Sequence, residues 1–144
     1  MKRTFTVAEA NSLLPLLDPL LRTAIASHQE VQEAQQEFQE INHRVFLAGG
    51  TLLNIARMID LKARWERHGG ELRRVVMEIE ETGVLVKDLL QGLLDFPCNA
   101  GEETILLCWQ LGEPSVAFWH TLEDGFQGRK PIDERIAGTG RKPS

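Results

Sequence analysis

Asp95, Glu113, His120 and Arg129 are the residues of this chain whose types could do chemistry together. Carboxylates and an imidazole are ligands for a divalent metal, and Glu113 with His120 is the pair a metal would take first. The Arg129 guanidinium could instead hold an anionic ligand through parallel hydrogen bonds. A plainer reading makes the four a structural network, with Arg129 tying the end of the chain to Asp95 or Glu113. The residues name no particular cofactor or substrate.

Cys108 lies near this set in sequence, and strand geometry tests whether it joins. The segment Leu106 to His120 reads as two apolar runs around a Gly112-Glu113-Pro114-Ser115 turn. If Leu111 pairs with Val116, Trp109 opposes Phe118, Cys108 opposes Trp119 and Leu107 opposes His120. Side chains alternate faces along a strand. Cys108 and His120 then point to opposite faces, so Cys108 reads as core and any site forms without it. Lys87, beside Asp88, reads as a solvent-facing lysine that protects a sheet edge.

The elements that must position these residues follow from pattern. Thr6-Val7-Ala8-Glu9 is a capping box, so a helix starts at Val7. Pro15 and Pro19 predict a break or kink after about Leu14. From Leu17 a heptad seam follows: Leu17, Ala24, Val31, Phe38 and Val45, with Leu20, Ser27, Ala34, Ile41 and Ala48. Gly49-Gly50 ends it. A second long helical segment covers about Leu52 to Thr82, and Gly69-Gly70 predicts a kink or short break inside it. Two helical segments of about 45 Å joined by a short link predict a coiled-coil-like antiparallel hairpin. Glu30, Glu33, Glu37 and Glu40 would then lie near Lys62, Arg64, Arg67 and Arg73.

After Gly83 the period changes. Gly83–Lys87, Gly92–Pro97, Thr104–Leu111 and Val116–His120 read as four short strands of an antiparallel meander. The fold class is α+β: a short N-terminal helix, a long helical hairpin and a small sheet. It is read as a single domain over residues 1–137, helical over about 7–82 and sheet over about 83–122, with 138–144 a disordered tail.

Composition narrows the role. The chain has 144 residues and a net charge of −5, with no basic helix, so nucleic acid is not an expected partner. The leucine-rich run from Leu13 to Leu21 contains Pro15, Asp18 and Pro19 and is too short for a membrane span. Two cysteines without C-x-x-C spacing suggest free thiols in a cytoplasmic protein. Glu40-Ile41-Asn42-His43 has the Glu-x-x-His spacing of di-iron bundles, but such a site needs a second copy and further glutamates. P-loop, G-x-S-x-G and H-E-x-x-H motifs are absent from the sequence.

Lys87-Asp88, Gly92-Leu93-Leu94-Asp95-Phe96-Pro97, Leu107-Cys108-Trp109, Gly112-Glu113-Pro114, Phe118-Trp119-His120 and Gly125–Ile132 together resemble a bacterial domain-of-unknown-function family, number 2203. The resemblance also takes in Ala8-Glu9-Ala10-Asn11. It implies one intact domain and no particular reaction. The leading expectation is a non-enzymatic interaction or scaffold module that self-associates as a homodimer through its long helices. The alternative is a small-molecule or divalent-metal-binding protein, possible as an enzyme, with its site at Asp95, Glu113, His120 and Arg129.

Overall fold

The computed structural model describes residues 3–47 and 55–137, without the side chains of Arg135 and Ala137. The expected Ala48 seam position, the Gly49-Gly50 helix end and the tail 138–144 lie outside the described residues. Two long helices, α1 (Val7–Leu47) and α2 (Ile55–Glu81), precede the sheet. Its strands are β1 (Leu85–Asp88), β2 (Leu93–Ala100), β3 (Glu103–Gln110), β4 (Phe118–His120) and β5 (Lys130–Pro131), and a short α3 (Glu134–Ala137) follows. All neighbours pair antiparallel in sequence order, a meander. The class is therefore α+β. No helix among the described residues is long and apolar enough to cross a membrane.

The helices differ from expectation where the strongest breakers fall. The capping box forms, with Glu9 N–H donating to Thr6 Oγ1 and Thr6 N–H to Glu9 Oε1, each at 3.0 Å. But α1 is not broken there and continues as one helix through Pro15 and Pro19. Each proline removes a backbone donor and crowds the carbonyl four residues back. Both prolines are exposed, so the freed carbonyls lie on the solvated side, while Ala10, Leu17 and Leu21 are fully buried on the same helix. Burial of that face offsets the local cost. Likewise α2 is continuous across Gly69 and Gly70, neither of which adopts positive φ.

The chain forms two compact units, one drawn from the residues up to Leu21 and from Val76 onward, the other from Arg22–Val75. In the second unit, Ala24, Ser27, Ala34 and Ile41 are buried at seam positions, and Ala34 and Ile41 form one cluster with Leu61. Glu37 pairs with Arg57 and Glu30 with Arg64, the latter at 2.8 Å. The higher-numbered glutamate takes the lower-numbered arginine, so the pairs run in opposite order along the two helices.

In the first unit, β2 and β3 are buried on both faces. One face carries Leu94, Phe96, Ile105, Leu107 and Trp109. Phe5 closes on it, with its ring edge-on to Phe96 at 5.6 Å and its N–H donating to Pro97 O at 2.7 Å. The other face carries Leu93, Asp95, Leu106 and Cys108, and two of these are not ordinary core residues.

Candidate functional site

Strand register decides which side chains meet. Asp95 on β2 lies directly opposite Cys108 on β3, and Cys108 lies opposite Phe118 on β4, with Leu106 opposite His120. Opposed residues share a face, as do residues two apart. Asp95, Cys108 and His120 therefore form a row across three adjacent strands, on one face. One ligand atom from each lies within 4.8 Å of the others. All three residues are buried, at 1%, 1% and 2% exposure.

This corrects the expected register, in which Leu107 faced His120 and Cys108 pointed away. The expected turn holds four residues, whereas β3 ends at Gln110 and β4 begins at Phe118. Hydrogen bonds explain the longer loop. Gln110 N–H donates to Glu113 Oε1 at 2.6 Å, Trp109 Nε1–H donates to the Glu113 carbonyl at 3.0 Å, and Leu111 N–H turns back to the Gly92 carbonyl. Val116 N–H is taken by Asn11 Oδ1 at 2.7 Å, and the Ala117 carbonyl accepts from Ile132 N–H. Neither Leu111 nor Val116 is left to pair with the other. A slip of one residue flips a side chain to the opposite face, and here it brings Cys108 and His120 together.

The His120 ring is held from both sides. Nδ1 lies 2.8 Å from the Thr121 carbonyl, which only accepts, so Nδ1 carries a hydrogen. Nε2 lies 3.1 Å from Asp95 Oδ1. A neutral ring so oriented presents a lone pair, not a proton, to the carboxylate. The pair needs a second proton, or a cation between Nε2 and Oδ1. Cys108 is held as a thiol by burial and by the nearby Asp95 carboxylate, which push it up to about 11, against the opposing pull of Arg129. Such a thiol is a poor nucleophile on its own, since the thiolate is the reactive form.

Arg129 and Glu113 form the outer part of the cluster. Arg129 Nη1 donates to both Glu113 oxygens, at 3.1 and 3.2 Å. The guanidinium lies over the rings of Phe118, 4.0 Å away, and Phe126, 4.4 Å away, contacts that hold Arg well. Its positive charge also acts on the Cys108 thiol, opposing the rise that burial causes. The four residues singled out by type thus gather around Cys108, the one set aside. They do so as a buried Asp95–His120 pair and a half-buried Glu113–Arg129 pair. Glu113 lies outside the three-atom ligand group, and Arg129 is engaged within the chain. Elsewhere, Lys87 is exposed on β1, and Glu40 and His43 are exposed on α1.

Cysteine, histidine and aspartate are the donors of zinc-class sites. The carbonyl on His120 Nδ1 fixes the tautomer that leaves Nε2 free to ligate, the usual outer support of a metal-bound histidine. A nearby dication would also reverse the resting state of Cys108, since a coordinating thiol loses its proton. One family model, described as "Uncharacterized conserved protein (DUF2203)", matches residues 3–132. Neither the curated proteins nor the solved structures contain a match to the chain.

Proposed function

This chain therefore belongs to the DUF2203 family, and we propose that it is a divalent-metal-binding protein, of the zinc class, that uses Asp95, Cys108 and His120 as ligands. The observation that carries this reading is the trio of donor atoms within 4.8 Å of one another, buried on three paired strands. Paired strands hold donors more rigidly than loops do. Thr121 orients His120, Arg129 steadies the thiolate that a metal would create, and Glu113 balances Arg129. A metal there would staple β2, β3 and β4. Purified protein loaded with zinc and dialysed should retain about one ion per chain. Cobalt in its place should give a thiolate-to-metal charge-transfer band that Cys108→Ala abolishes. A wild-type chain that retains no metal and gives no band would overturn the reading.

A second reading concerns the helices: a coiled-coil-like antiparallel hairpin that self-associates as a homodimer and works as an interaction module. It is supported by the large apolar side chains α1 and α2 leave exposed, among them Phe46, Ile59 and Trp65. Cys98 and Cys108 are both buried and outside any disulfide, which supports a reducing, cytoplasmic setting.

A further inference from the structure

The two flanks of the α1–α2 contact in the unit Arg22–Val75 differ in chemistry. One is closed by the ion pairs Glu30–Arg64 and Glu37–Arg57. Glutamates seven apart face arginines seven apart, so both pairs fall on the same flank. The other flank carries an apolar groove of about 270 Å³ bounded by Ala34, Phe38, Leu61 and Trp65, with Gln35 and Lys62 at its rim. Phe38 and Trp65 are 37% and 46% exposed there.

Beside that groove, α2 carries a second row at alternating spacings of four and three: Ile55, Ile59, Lys62, Glu66, Gly69 and Arg73. This is the spacing of a helix–helix seam. Ile59 is the most exposed apolar residue of the row, at 66%. A Cβ at Gly69 would make ordinary contact with the end of the Arg73 side chain, at 3.7 Å, so a flexible side chain is what a partner would have to move aside there. Lys62 and Glu66 make no ion pair among the described residues.

We infer that this row is the contact surface for a second copy of the chain. The inference rests on the self-association reading and specifies its surface. The row is self-complementary under a two-fold axis that passes α2 between Lys62 and Glu66. With the two α2 helices antiparallel, Lys62 of each copy meets Glu66 of the other, and Ile59 of each meets the side-chain-free Gly69 beside the Arg73 stem. A two-fold interface requires that the patch match itself. A lysine and a glutamate one turn apart do so only when the helices oppose each other. The adjoining grooves, with Phe38 and Trp65, lie beside the axis and are covered in the same event.

Sedimentation velocity on the full chain at about 50 µM tests this. The wild type should sediment as a dimer. Lys62→Glu sets two glutamate pairs against each other across the axis and should weaken association at least about tenfold. The double exchange Lys62→Glu with Glu66→Lys should restore the dimer. Ile59→Asp, at an exposed position, should give a folded monomer by circular dichroism. A monomeric wild type overturns both the surface and self-association. A dimer indifferent to Lys62→Glu and Ile59→Asp overturns this surface and leaves self-association standing.

Discussion

Around His120 the proton count is the deciding quantity. Nδ1–H is committed to the Thr121 carbonyl, and Nε2 faces Asp95 Oδ1. Replacing Asp95 by alanine removes that partner and leaves a buried ring nitrogen unsatisfied, at a cost of about 1–3 kcal/mol. Asp95→Asn behaves differently, because the amide that replaces the carboxylate can donate to the Nε2 lone pair. In metal-free protein, urea titration should place Asp95→Asn near the wild type and Asp95→Ala well below it. In zinc-loaded protein, both variants should lose metal, because an amide is a poor ligand beside a thiolate. Equal destabilisation by the two substitutions would show that the hydrogen bond to Nε2 contributes little. Reading the sequence by residue type found Asp95, Glu113, His120 and Arg129, and all four do gather. It set aside Cys108 because a four-residue turn was assumed. The longer loop depends on Asn11 Oδ1 taking Val116 N–H, a contact 105 residues apart that no local pattern encodes.

At the scale of elements, period was legible and breakers were not. The heptad positions Ala24, Ser27, Ala34 and Ile41 are buried as the spacing predicts, whereas Phe38 of the same seam is exposed, and the strands fall close to their apolar runs. The prolines and the glycine pair did not break the helices, because helix stability in a protein comes chiefly from the packed face. β5 is two residues long, one of them a proline, too short a segment for alternation to register. Since Gly70 is helical and a Cβ there meets nothing nearer than Arg73 at 4.0 Å, Gly70→Ala should stabilise α2 by about 1 kcal/mol. A thermal melt should move up by about 4 °C, and no rise would mean that the glycine has another role. Acid should act on the Arg22–Val75 unit through its ion pairs. Hydrogen bonds from Arg64 and Arg57, the largest causes, lower Glu30 and Glu37 below the ordinary 4.5. Groups lowered on folding stabilise above their unfolded value, and this contribution disappears as pH falls through the folded one. Helical circular dichroism of the wild type should therefore lose stability below about pH 4.5, and Glu37→Gln should flatten that dependence.

For the whole molecule, the three donor residues come from separate strands, so a metal bound there couples β2, β3 and β4 at once. An ion that binds the folded chain and not the unfolded one stabilises it by mass action, about 2.7 kcal/mol at a hundredfold excess over its dissociation constant. That gain belongs to segments whose opening disrupts the donor row. Asp95 and Cys108 sit opposite each other in the most buried strands, and His120 ends β4. Opening any one of these strands releases a ligand. By contrast, none of these three residues lies within 22–75, so an ion held by them would add no bond within that unit. Hydrogen–deuterium exchange with and without zinc should show slowed exchange over Leu93–Ala100, Glu103–Gln110 and Phe118–His120. Helical peptides from residues 30–40, which carry the two acid-sensitive glutamates, should gain far less. Protection spread evenly along the chain, or confined to the acidic residues of α1, would place the ion elsewhere and defeat the donor assignment.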